Sequence, residues 1–203
     1  YPEAKDAFRA MKEELERAKH FIFMEYFIVE NGASFRELEQ ILIRKAKEGV
    51  EIRLLYDDLG SIAKIGREFA RELQRKGIRC YPFNPASPFL KLFMNHRDHR
   101  KITVIDGKVA FTGGYNLADE YFDRTHPYGH WKDTGIRLEG EAVRSLTETF
   151  LELWSVQAGG REDIRQYLTV SHSVSARGFV QPFADNPLEE ERVAENVYLN
   201  LIH

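Results

Sequence analysis

His99-Arg100-Lys101-Ile102-Thr103-Val104-Ile105-Asp106, followed closely by Gly113-Gly114-Tyr115-Asn116, is the stretch whose reading decides the fold. It has the form H-x-K-x4-D-x6-G-G-x-N. The apolar residues Ile102 and Val104 alternate, the pattern of a half-buried strand. Alternation puts His99, Lys101 and Thr103 on one side and Arg100, Ile102 and Val104 on the other. An imidazole and an ammonium two residues apart therefore point the same way, an arrangement suited to gripping a phosphate. Asp106 stands at the far end of the strand beside Gly107. Anchoring that turn is its first expected role, with a catalytic role kept as the alternative.

The residue types fit one chemistry. A neutral histidine can attack the phosphorus of a phosphodiester and hold it covalently, dividing one hard displacement into two easier ones. Lys101 and the Asn116 amide can donate to the non-bridging oxygens as charge builds there, with no metal required. Gly113 and Gly114 would let the backbone approach the anion. The catalytic set read from the sequence is thus His99, Lys101 and Asp106. Lys101, Asn116 and Gly114 are the phosphate ligands, and no cofactor is expected.

The segment Asn95-His96-Arg97-Asp98-His99-Arg100-Lys101, with Gly113-Gly114-Tyr115-Asn116-Leu117-Ala118-Asp119-Glu120-Tyr121, resembles the first H-K-D motif of the phospholipase D superfamily. It is most similar to the bacterial cardiolipin synthase branch, where Gly114 also replaces the serine of many superfamily members. The resemblance implies phosphatidyl transfer through a phosphohistidine: two phosphatidylglycerols become cardiolipin and glycerol. It also implies a second motif, and this chain holds one. It points to Asp133, in His130-Trp131-Lys132-Asp133, as the acid that orients His99. Arg100 is expected to support the site, and His96 to be a site wall or a substrate donor. The implied setting is the cytoplasmic face of a bacterial membrane, reached through parts outside this chain.

Composition narrows the field. The 203 residues carry 43% hydrophobic and 12% aromatic side chains, enough for a full core. A net charge of −3 supplies no basic field, which argues against a nucleic-acid partner. The single cysteine, Cys80, excludes an internal disulfide. No apolar run reaches the roughly 18 residues of a membrane span. His96, His126 and His130 lie near His99 in sequence, but without a paired i, i+4 spacing they do not read as a zinc site.

Taken in order, Pro2 to Lys19 has helical spacing, and Phe21 to Val29 reads as a buried strand. Glu25 within that strand is expected to leave the sheet at its end, with a buried partnership to a site residue as the alternative. Ser34 with Glu37 suits a capping box for a helix from Phe35 to Glu48. Val50 to Tyr56 is a second strand, and Asp57-Asp58 after it read as a solvated helix cap. A helix from Ser61 to Lys76 and a strand from Ile78 to Phe83 complete a parallel unit with helical crossovers. The segment 84–94 is either core under a loop or a surface that meets lipid, with Lys91, Arg97 and Arg100 facing anionic headgroups. A hairpin turning at Asp106-Gly107, a short helix from Asn116 to Phe122 that starts at the phosphate site, a strand from Ile136 to Glu139 and a helix from Glu141 to Ala158 follow.

The predicted fold is α/β: a mixed central sheet flanked by helices over residues 1–160, a linker over 161–178, and the opening of a second homologous repeat over 179–203. The strand-like Phe179-Val180-Gln181 and a helix from Pro187 to His203 carry that last expectation. The chain reads as a piece excised from a longer protein, and this piece alone is expected to have little turnover. Its partners would be phosphatidylglycerol or a related anionic phospholipid, a membrane surface and the second H-K-D repeat. Two other readings remain. One is a phosphodiesterase or nuclease that completes a single-motif site by homodimerisation. The other is a non-catalytic module in which Lys101 and Arg100 merely hold anionic lipid.

Overall fold

The computed structural model describes residues 1–85, 97–160, 162–168, 174–175, 178–185 and 191–203. Helix α1 (Ala4–Arg17) leads into strand β1 (Phe21–Tyr26), and α2 (Ala33–Lys47) crosses over to β2 (Glu51–Asp57). The short α3 (Asp58–Ser61) and α4 (Phe69–Arg75) precede β3 (Arg79–Phe83). Strands β4 (Lys101–Ile105), β5 (Val109–Gly113) and β6 (Gly135–Glu139) come next, then α5 (Ala142–Ala158), α6 (Arg165–Leu168) and α7 (Val193–Ile202).

The sheet order is β3-β2-β1-β4-β5-β6. The first three strands are parallel, while β4 runs antiparallel to β1 and begins an antiparallel meander. The predicted mixed sheet between helical layers is the fold observed. Its order puts the strand carrying Lys101 beside β1, in the middle of the sheet, where both faces are covered. On one face Met11 and Leu15 of α1 and Leu38 and Leu42 of α2 pack on Met24, Tyr26 and Ile105. On the other, Phe150 and Trp154 of α5 pack on Phe23, Ile102 and Val104. The period-2 alternation of β4 sorts its side chains between these layers.

Asp106 and Gly107 both adopt positive φ, 54° and 62°, which closes the tight β4–β5 hairpin. The Asp106 carboxylate accepts from the backbone N–H groups of Lys19, His20 and Phe21 at 2.8, 2.7 and 2.9 Å. One side chain thus ties the hairpin turn to the start of β1.

Several local expectations are corrected. The cap of α2 comes from across the chain rather than from Ser34 and Glu37: the Asp119 carboxylate accepts from Ala33 N and Ser34 N at 2.8 and 2.7 Å. The helix expected over 61–76 is two pieces, because the Asp57 side chain starts a turn at the strand end by accepting from Gly60 N at 3.0 Å. Asp57 is completely buried, not solvated. The helix expected from Asn116 is a single 3-10 turn, Asp119–Phe122, too short to offer a useful dipole. Residues 162–168 fall in the predicted linker yet dock on the sheet. Arg53 of β2, fully buried, donates to Glu162 at 2.6 and 2.7 Å and to the Tyr167 hydroxyl at 2.5 Å. Phe179-Val180-Gln181 is not in a strand, and α7 has no buried residue. Residues 86–96, including His96 and Lys91, and residues 186–190, which include the start of the predicted last helix, lie outside the described residues. No described helix is long and apolar enough to cross a membrane.

Candidate active site

The site forms where the C-terminal ends of β1 and β2 meet the N-terminal end of β4. Antiparallel pairing sets Lys101 opposite Tyr26, so the residue after β1, Phe27, reaches the site. Its ring lies 4.6 Å from that of His99 and 5.5 Å from the Lys101 ammonium. Lys101 Nζ stands 2.9 Å from His99 Nδ1 and donates to the His99 carbonyl at 2.5 Å. Imidazole and ammonium are thus on one side of the chain, as the alternation requires.

Burial shapes their protonation. It pushes the Lys101 amine down to about 8, with the nearby carboxylates of Asp98 and Asp133 working the other way. His99 is held below its ordinary value, first by burial and then by the Lys101 charge. At neutral pH the pair is therefore a neutral imidazole beside a cation that gains by meeting an anion.

A buried polar frame stands behind the pair. Asp57 accepts from Arg97 Nη1 at 3.2 Å and from Asp98 N at 3.1 Å. Asp98 in turn accepts from Arg100 N and Nε at 3.3 and 2.9 Å. Arg100 Nε also lies 2.7 Å from Glu25 Oε1. Arg97 and Arg100 are therefore held inward by carboxylates, not turned toward headgroups. Glu25 is fully buried and does not leave the sheet end. Composition and spacing gave no hint of Phe27 as a site neighbour. For Asp57 the available signal was its place at the C-terminal end of a parallel strand, a usual ligand position in open α/β sheets.

The other predicted residues divide. The Asn116 amide is anchored: Oδ1 accepts from Ile28 N at 3.0 Å and Nδ2 donates to the Tyr121 hydroxyl at 2.9 Å. Among the described residues that leaves one amide N–H without a partner. Asp106 is at the opposite end of β4, and the structure does not bring it to His99. Asp133 is not hydrogen-bonded to His99; its Oδ1 accepts from Thr134 N at 2.8 Å. Gly114 gives that acid room. A Cβ on Gly114 would lie 2.1 Å from Asp133 Oδ1, so only glycine admits the carboxylate there. His130 is exposed and pairs with Asp123 at 2.9 Å. Beside His99, a cavity of about 360 Å³ is lined by Arg97, Asp98, Arg100 and residues 183–185.

A family model described as "Cardiolipin synthase, PLD-like domain" matches residues 11–154, from within α1 to Trp154 in α5. The chain belongs to that family. Across 199 residues it is 39% identical to a cardiolipin synthase of Geobacillus thermodenitrificans, covering 97% of this chain and 39% of that protein. A protein of Streptococcus mutans is 44% identical over 204 residues, covering all of this chain and 44% of its own length. The chain therefore spans about two fifths of the curated relatives it matches. Among solved structures, the phosphatidylserine synthase of Haemophilus influenzae superposes with a TM-score of 0.58 at 13% identity, covering 83% of this chain and 40% of that one. That likeness is one of fold.

Proposed function

We propose that this chain is the first repeat of a two-repeat phosphatidyltransferase that makes cardiolipin from phosphatidylglycerol. The observation that carries the reading is the His99–Lys101 pair: a neutral imidazole at the edge of a hollow, with a buried cation against it. The relatives named cardiolipin synthase give the substrate class.

In this reading the phosphate of phosphatidylglycerol draws Lys101 away from His99 Nδ1 and onto a non-bridging oxygen. His99 then attacks phosphorus with the Nδ1 lone pair that Lys101 has released, keeping its proton on Nε2. The N–P bond forms as the P–O bond to glycerol breaks, and a general acid from the second repeat protonates the leaving alkoxide. The headgroup hydroxyl of a second phosphatidylglycerol, deprotonated by that same group, attacks phosphorus and frees His99. The free N–H of Asn116 supports the phosphate. Asp106 acts only on the fold, through its three backbone contacts. Helix α7, with Tyr198, Leu201 and Ile202 exposed, fits a helix that packs on the second repeat's sheet. The membrane surface at the cytoplasmic face, and the second H-K-D repeat, are the partners this mechanism needs.

The test compares this chain with its two-repeat parent in phosphatidylglycerol micelles, following cardiolipin and glycerol. Activity confined to the parent and abolished by His99→Ala supports the reading. Equal activity from the short chain would overturn the two-repeat requirement and favour a homodimeric site.

A further inference from the structure

Glu25 sits in β1 opposite Ile102, on the face of the sheet that packs against α5. Its neighbours on that face are Phe23 and Leu55, so a carboxylate is embedded in apolar core. Its Oε1 is 2.7 Å from Arg100 Nε. Yet neither carboxylate oxygen, nor Arg100 Nη2, completes a hydrogen bond among the described residues. Such a contact is a poor way to add stability. Burial and the neighbouring Asp98 push the Glu25 carboxyl well above its ordinary value, and well-packed apolar side chains in the same space serve as well or better. The pair does something an apolar pair cannot: it holds one particular residue, Arg100, on the back of β4. Arg100 lies between His99 and Lys101, whose side chains occupy the front.

We propose that Glu25 is a positioning residue for the His99–Lys101 pair: it holds Arg100 from behind the strand, and Arg100 so held fixes the main chain from which both site side chains project. Asp98 shares the task, accepting from both the Arg100 main chain and its side chain. The proposal rests on the reading of His99 and Lys101 as the phosphate-reactive pair. Without Glu25, Arg100 is held on one side only, and the 2.9 Å spacing of Nζ and Nδ1 is no longer fixed. The groups that face this cluster are Asp57, Asp98 and Lys101 around His99, and Glu25, Asp98 and Glu152 around Arg100.

The test uses inorganic phosphate as the probe and NMR of the His99 ring as the readout. Two quantities are measured in wild type, Glu25→Ala, Glu25→Leu and Glu25→Gln: phosphate affinity and the midpoint of the His99 titration. Leucine fills the space with an apolar side chain, so a folded variant without the carboxylate is in hand even if alanine collapses. Glutamine keeps an acceptor for Arg100. The expected result is about tenfold weaker phosphate binding in the alanine and leucine variants, with the His99 midpoint moving up as the Lys101 ammonium drifts away. Glutamine should restore both. A folded alanine or leucine variant with wild-type affinity and midpoint would overturn the proposal, as would a glutamine variant as impaired as alanine. If wild type shows no phosphate response, the functional reading fails separately, and the His99 midpoint alone decides whether Glu25 positions the pair.

Discussion

Lys101 Nζ lies 2.9 Å from His99 Nδ1, and the two side chains share the aromatic wall of Phe27. The contact places the lysine where it satisfies the imidazole in the empty site and can transfer to a phosphate oxygen in the filled one. It also assigns the neutral His99 its hydrogen on Nε2 while Lys101 is charged, so the nucleophilic lone pair is released only when an anion takes the lysine away.

Among the described residues no carboxylate touches the buried Lys101 ammonium, and its burial outweighs the pull of Asp98 and Asp133, which costs stability. Lys101→Met should raise stability by about 1 kcal/mol, or about 2–4 °C in Tm, while abolishing phosphate binding. The sign follows from linkage: the folded Lys101 value of about 8 lies below its ordinary 10.5. Wild type is therefore penalised at neutral pH, and the penalty fades as pH rises from about 8 toward 10.5. Thermal melts of both proteins at pH 7 and pH 10 should show the gap closing. A wild type more stable than the methionine variant at pH 7 would refute this.

The pH profile of kcat/KM should have its falling limb near 8, where Lys101 loses its proton. Its rising limb should lie below the 6.5 of an ordinary histidine, since His99 must be neutral to attack. Measurement with a soluble phosphodiester keeps the substrate charge constant over that range. Activity that still climbs between pH 8 and 10 would contradict the role given to the ammonium.

Asp106 separates fold from chemistry. Removing its carboxylate in Asp106→Ala leaves three N–H groups without their acceptor and should cost about 2–4 kcal/mol, read from urea unfolding. Phosphate affinity of the folded fraction should be unchanged. A variant that folds normally but loses phosphate binding would restore a catalytic role to Asp106.

Gly114→Ser tests the close approach of Asp133. The new Cβ would displace the carboxylate, and Thr134 N would lose its acceptor at 2.8 Å. A shift of the Asp133 and Thr134 amide signals with His99 unmoved is the expected spectrum. Strong perturbation of His99 instead would mean that Gly114 belongs to the phosphate cradle after all.

The alternating pattern of β4 and the Asp-Gly turn made the hairpin and the sidedness of His99, Lys101 and Arg100 legible in the sequence. These depend on neighbours in the chain. The rest depends on neighbours in space. Ser34 looked like a cap because local spacing favoured it, but Asp119 occupies that place from 85 residues away. The Gly-Gly-x-Asn motif, read for phosphate ligands, also makes contacts with distant residues: Asp133 at Gly114 and β1's outgoing loop at Asn116. Glu25 looked like a residue at a sheet end because a charged side chain in an apolar strand usually leaves the sheet there; its partner Arg100 comes from the residue just before the antiparallel strand. Tyr167 and Glu162 were read as linker because their anchor, Arg53, lies in a strand that otherwise reads as apolar.

The central claim is that His99 carries the phosphatidyl group. The direct measurement is acid-free quenching of the two-repeat parent during turnover of phosphatidylglycerol labelled in its phosphate, followed by peptide mass spectrometry. The account predicts an acid-labile, alkali-stable phosphoramidate on the peptide containing His99, absent from His99→Ala, which also makes no cardiolipin. Continued cardiolipin synthesis by His99→Ala, or turnover with the phosphoryl label on a different residue, would contradict it.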